Sequence, residues 1–129
     1  MPSTLISVRK RWPRQMRRAI IDAVHQALVD GMLIPQSDRT LRLQEFEPED
    51  FAVSRGKTEN FMLIEIDLFA GRSLNAKRRL YKCVVENLGA LGIRAKDVKV
   101  VLREIPRENW GISGGVPASD LDLGFKIEV

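Results

Sequence analysis

The sequence predicts an α+β protein of two tandem βαβ units, sharing one four-stranded sheet with both helices on one face. Three observations predict it. Two amphipathic segments, with apolar residues at helical spacing, each lie between two strand-like runs, so the order strand, helix, strand occurs twice. After the first of these segments Ile34-Pro35-Gln36-Ser37-Asp38 parallels Ile93-Arg94-Ala95-Lys96-Asp97 after the second, and the parallel continues from Leu43 and Glu45 to Leu102 and Glu104. Finally, 129 residues is the size of one ordinary domain that buries its own core. A single domain is expected over 1–129, with its units at about 2–60 and 61–129.

The first strand is expected over Thr4–Val8, at the end of a β-like run from Ser3. A helix follows from about Pro13 to Asp30, because Met16, Ile20, Ala23, Val24, Ala27 and Leu28 fall on one face. Pro13 suits its first turn and Gly31 a C-terminal stop. Thr40–Phe46 forms the second strand, and the Pro-, Glu- and Asp-containing stretch Glu47–Asn60 reads as a hairpin arm. Phe61–Phe69 is the third strand. Ser73 caps a second helix whose apolar face is Leu80, Val84, Leu88 and Leu91 and whose end is Gly92. Val98–Ile105 completes the sheet. Each strand–helix–strand unit is a right-handed crossover with parallel strands. Met62, Leu63, Ile64, Ile66, Leu68 and Phe69 are apolar towards both faces, so the face away from the helices needs a cover. Self-association is the expected cover, with Glu47–Asn60 and the C-terminal segment as arms.

Composition excludes several classes. No window approaches the ~18 consecutive apolar residues of a membrane span. The run Ser3–Val8 leads straight into Arg9-Lys10-Arg11, unlike a secretory leader, so a soluble cytoplasmic protein is expected. One cysteine, Cys83, and one histidine, His25, offer neither a disulfide nor a zinc cluster, so no metal and no cofactor are predicted. Net charge is +4, and the excess is concentrated in Arg9, Lys10, Arg11, Arg14, Arg17 and Arg18, where it opposes the dipole of the first helix. The run reads as a solvated helix face or as a rim that draws in anions. A nucleic-acid interface is disfavoured because Trp12 is its only interleaved aromatic residue.

The second residue is the candidate catalyst. Once Met1 is removed, Pro2 carries a secondary amine at the chain end, a group able to act as a base or acid without a side chain to hold it.

With Pro2 at its start, Gly71-Arg72-Ser73 at the turn into the second helix and Trp110-Gly111-Ile112-Ser113-Gly114-Gly115 near its end, the chain resembles the tautomerase superfamily, whose founding member is 4-oxalocrotonate tautomerase. The resemblance covers almost the whole chain. It implies a homotrimer of fused pairs acting on a small 2-oxo acid or enol carboxylate. In such an enzyme Pro2 is the general base, Arg72 clamps the substrate carboxylate, Lys99 is a second cation and Trp110 walls the site. An apolar pocket beside Trp110, with cations near, would disfavour the charged amine and leave a base. The two-unit length and Pro35-Gln36-Ser37-Asp38-Arg39 look most like the malonate semialdehyde decarboxylase branch, where Asp38 matches the acid that flanks the proline and would favour an acid role. That branch has two arginines at the turn, whereas Phe69-Ala70-Gly71-Arg72 supplies one. His25 does not align cleanly with the helix histidine of the dehalogenase relatives and is assigned no catalytic role; it reads as an ordinary helix residue. Plain readings stand beside these: Asp38 as a turn residue, Arg72 as a surface residue beside a cap, Lys99 as a strand-edge guard and Trp110 as core. Tautomerisation is the favoured reading; decarboxylation or hydration, and a non-catalytic or nucleic-acid-binding βαβ protein, are the alternatives.

Overall fold

The structure is a computed structural model and describes residues 2–124. In chain order it contains β1 (Ser3–Arg9), α1 (Arg14–Met32), β2 (Leu41–Phe46), β3 (Met62–Phe69), α2 (Leu74–Gly89) and β4 (Val98–Ile105), then a short hairpin of β5 (Gly111–Ile112) and β6 (Val116–Pro117). The main sheet has the order β2-β1-β3-β4. Within each unit the strands are parallel, and the units meet through antiparallel β1 and β3, with Ile6 opposite Ile64. The start of β1 therefore lies at the end of β3.

Strand alternation decides the faces. Ile6 and Val8 on β1, with Met62, Ile64, Ile66 and Leu68 on β3, turn inward and are fully or almost fully buried. They pack against Ile20, Val24 and Leu28 of α1 and Leu80, Val84 and Leu88 of α2. At roughly 1.5–3 kcal/mol for each buried side chain of this size, this layer is the main source of stability. The opposite face is less apolar than expected. From β3 it receives Leu63, Glu65, Asp67 and Phe69. Arg103 donates to Asp67 at 2.6 Å and to Glu65 at 3.0 Å, and Phe69 is buried in a second cluster with Ala118 and Trp110.

The helices end differently. Pro13 is the N-cap of α1, in extended conformation, one position before the expected first turn. Gly31 does not stop α1. The helix continues to Met32 and ends where Leu33 takes a left-handed φ of 57°. Gly31 serves packing instead, since a Cβ there would sit 2.7 Å from the Leu80 Cα of α2. On α2, Ser73 accepts from the Ala76 N–H as expected of an N-cap. Gly92 closes that helix with φ 90°, its N–H bonding the Gly89 carbonyl while the Ile93 N–H reaches the Leu88 carbonyl. That pair of bonds is a Schellman motif.

The stretch 47–60 is not a projecting arm. It forms a 3₁₀ turn at Pro48–Asp50 and is tied to its own sheet at three points. Arg9 donates twice to the Phe51 carbonyl, Arg94 donates to the Gly56 carbonyl, and Thr58 donates through both its amide and its hydroxyl to Asp97. The C-terminal segment folds back through the β5–β6 hairpin; of the arm expected there, 125–129 lies outside the described residues. Trp12 packs against the main core with the Arg11 guanidinium 4.9 Å over its ring. Among the described residues, no helix is long and apolar enough to cross a membrane.

Gly31→Ala tests the helix crossing. Alanine inside a helix would ordinarily gain about 1 kcal/mol over glycine. Here the new methyl meets backbone, and overpacking of this kind costs typically 1–3 kcal/mol. The variant should melt at a lower temperature at matched protein concentration, and a rise in Tm would mean that the helices part freely. Asp97 gives a second test. Burial alone would raise its carboxyl, but hydrogen bonds from Arg94 and then from Thr58 outweigh that and hold it at about 2. A depressed carboxylate stabilises the fold at neutral pH, and the contribution fades as pH falls from the ordinary range near 4 through about 2. Asp97→Asn should cost roughly 1–3 kcal/mol at pH 7. Its denaturant midpoint should also vary less than wild type across that acid window.

Candidate active site

The site is assembled at the end of the sheet where β1 begins. Ser3 pairs with Asp67, and the Thr4 N–H donates to the Thr40 carbonyl at 3.1 Å. Pro2, one residue earlier, is buried between the approach to β2 on one side and the end of β3 on the other.

The approach to β2 carries Asp38. Its N–H closes a turn on the Pro35 carbonyl at 3.0 Å, and both its carboxylate oxygens are shielded from solvent. Beneath this turn lies His25, only 1% exposed, whose Nε2 is 2.9 Å from the Gln36 carbonyl. Since a carbonyl can only accept, Nε2 carries the proton. His25 thus holds the backbone two residues from Asp38, a structural role that sequence reasoning did not find.

The end of β3 leads to Arg72. Its side chain is 7% exposed, and Nη1 donates to the Met32 carbonyl at 2.7 Å. Arg79 donates to the preceding carbonyl, Gly31, at 2.9 Å. The last turn of α1 contains no basic residue, so these two arginines of the second unit supply the cations its carboxyl end lacks. The turn itself is held by Glu104, which accepts from the Gly71 N–H at 3.2 Å and pairs with Lys77. That lysine, foremost, holds the Glu104 carboxyl below its usual range against the opposing effect of burial. Gly71 has φ 118°, which a side chain would strain. Sequence reasoning gave Glu104 no role at this turn.

Trp110 stands beside the end of β3. Its ring meets Phe69 edge-on at 5.2 Å, and its Nε1–H donates to the Ile105 carbonyl at 3.2 Å. The hairpin that follows turns through Ser113, Gly114 and Gly115, all left-handed at φ 51°, 82° and 96°. Ile112 and Ser113 there line a cleft of about 480 Å³ with Asp38, Arg39, Thr40 and Leu123, whereas Pro2, Arg72 and Trp110 are not part of its lining. This end of the sheet carries Asp38, Arg72, Trp110 and the start of β1, and of these Asp38 alone lines the cleft. Among the described residues, no group of three or more His, Cys, Asp or Glu is placed to hold a metal.

Lys99 is not in this protomer's cleft. It pairs with Leu63, which pairs with Ser7, five residues along β1 from Pro2. At about 3.3 Å per residue that is roughly 16 Å away. The two units run antiparallel, so the start of β4 lies at the far end of the sheet. There Lys99 lines a separate cavity of about 620 Å³ with Phe51, Lys57, Phe61 and Leu63. Sequence reasoning also missed Phe51-Ala52-Val53-Ser54, which follows the Pro48–Asp50 turn as Trp110-Gly111-Ile112-Ser113 follows the turn Arg107–Asn109. The signal was available: the shift that takes Glu45 to Glu104 takes Phe51 to Trp110.

Comparison with known proteins gives a consistent result. A family model described as tautomerase enzyme matches residues 38–113, and a second model of the same description matches 5–56. The probable tautomerase YusQ of Bacillus subtilis is 23% identical over 121 residues, covering 89% of this chain and 95% of that protein. The probable tautomerase RSp0893 of Ralstonia nicotianae is 34% identical over 58 residues, covering 44% of this chain and 81% of that protein. Among solved structures, FG41 malonate semialdehyde decarboxylase inhibited by 3-bromopropiolate superimposes with a TM-score of 0.84 at 28% identity, covering 92% and 97% of the two chains. A fused 4-OT described as a symmetric trimer gives 0.80 at 28% identity, covering 90% and 95%.

Proposed function

The chain belongs to the tautomerase family, and on that premise we propose that Pro2, freed by removal of Met1, is the general base of a keto–enol tautomerase acting on small 2-oxo acids. Met1 itself lies outside the described residues. The observation that carries this reading is the burial of Pro2 at the end of the sheet where Asp38, the turn with Arg72 and Trp110 also lie. A neutral proline nitrogen accepts the enol hydroxyl proton as the C=O bond forms. The electron pair of the C=C bond then takes the proton back from the amine at carbon, so the amine ends neutral. Arg72, oriented by its bond to the end of α1, meets the substrate carboxylate, for which its planar fork is suited. The burial of Pro2 away from water favours the uncharged amine. With Lys99 at the far end of the sheet, Arg72 is the cation this reading relies on. A homotrimer fits the fused 4-OT relative described as one.

A second reading is favoured by Asp38. A shielded carboxylate near the start of β1 stabilises a protonated proline, which suits a general acid in decarboxylation or hydration. The malonate semialdehyde decarboxylase relative points the same way, and the single arginine at the turn points against it.

The test uses protein whose intact mass shows Met1 removed. Ketonisation of phenylenolpyruvate and 2-hydroxymuconate is followed by ultraviolet absorbance, beside Pro2→Ala. Loss of the base should lower kcat/KM by about 10²-fold or more, and equal rates in both proteins would refute a catalytic Pro2. For a base, kcat/KM falls as pH is lowered through the proline pKa; for an acid it falls as pH is raised.

A further inference from the structure

We propose that the cavity of about 620 Å³ at the end of the sheet opposite Pro2 is a second small-molecule site, one that binds a planar carboxylate without transforming it. The comparison of the two ends rests on the Pro2 reading; binding at the second does not.

The two ends are built alike. The shift that takes the N-cap Pro13 to the N-cap Ser73 takes Pro2 to Met62 and Arg17 to Lys77. A shift one residue shorter takes Glu45, which pairs with Arg17, to Glu104, which pairs with Lys77. The same shorter shift takes Asp38 to Asp97, Phe51 to Trp110, Ser54 to Ser113 and left-handed Gly56, φ 89°, to left-handed Gly115, φ 96°. The far cavity is therefore lined by Phe51 and Ser54 at the positions that correspond to Trp110 and Ser113 at the other end.

It has lost the reactive groups. Met62 lies within the chain and pairs with Val8 and Val98, so its nitrogen is an amide without basicity. Asp97 is fully buried and held by Thr58 and Arg94, which leaves it no part in proton transfer with a ligand.

What remains suits an anion with a flat body. Lys57 and Lys99 line the cavity, and neither makes an ion pair among the described residues. Asp50 is the one carboxylate in the lining, so the site has a net positive charge. Phe51 and Phe61 stand with ring centroids 6.1 Å apart and tilted by 58°, presenting apolar surface beside the two ammonium groups. The Ser54 hydroxyl adds a neutral donor. A cavity of this size with apolar walls and a few polar groups is the usual form of a small-molecule site, and the two ammonium groups suit it to an anion.

The test uses the full chain in its own assembly state, labelled with ¹⁵N, and titrates it with trans-cinnamate. This probe is a planar carboxylate with no keto–enol pair for Pro2 to act on. Saturable amide shifts are expected at Ala52, Val53, Ser54 and Lys99. In the Lys57→Ala/Lys99→Ala double variant the midpoint at those amides should weaken by at least about tenfold, as expected for losing charge-assisted hydrogen bonds. Shifts at Asp38 and Ser113, which report the other cleft, should keep their wild-type midpoint. Unmoved core amides, such as Ile64 and Leu80, would show that the variant is folded. No saturable shift at Ala52–Ser54 and Lys99 at millimolar cinnamate, or one unchanged in the double variant, overturns the proposal. A failure of enol turnover bears on Pro2 alone and leaves this binding as it is.

Discussion

Everything functional in this molecule depends on the antiparallel seam between β1 and β3. Parallel strands within each unit would leave the first residue of β1 at an open sheet end, with only its own unit for company. Because β1 and β3 are reversed, that residue meets the end of β3, the turn into α2 and the segment that follows β4. The seam is specified by burial. Ile6, Val8, Met62, Ile64 and Ile66 all face the helices, and a slip of one residue would turn Glu65 and Asp67 inward.

The same seam makes each sheet end a composite of both units, and the two ends have diverged. At one end an aspartate sits in the lining of an open cleft; at the other its counterpart is fully buried and satisfied. The difference comes from the segment 47–60, whose Thr58 supplies two donors to Asp97. Arg94 adds the charge that keeps Asp97 ionised despite its burial, the arrangement that makes a buried carboxylate tolerable. A loop that reads as an arm is in fact the element that takes this carboxylate out of use.

Much of this was legible in the sequence, for physical reasons. Local rules act within a few residues, so the 3.6 periodicity of both helices, the Ser73 cap and the Gly92 stop could be read directly, and the repeated order of elements implied the sheet. What failed depends on distant partners. Gly31 looks like a stop because glycine commonly ends helices, and only the approach of Leu80 shows that it is a packing contact. Lys99 matches a binding position in spacing, but spacing does not tell which end of the sheet a strand begins at when two units are reversed. Leu63 and Phe69 suggested an apolar outer face; Arg103, from a neighbouring strand, makes the centre of that face ionic. Arg72 was recognised from its turn, while its bond to the Met32 carbonyl needed the tertiary structure.

That bond, with its companion from Arg79, makes the halves unequal. The second helix completes itself with a glycine of its own unit, whereas the first is completed by side chains from the other. A gene cut between the units would yield one piece with a finished helix and one with bare carbonyls at its end. The dependence runs one way: the end of the first helix leans on two arginines of the second half, and the end of the second helix is closed by backbone bonds within its own half.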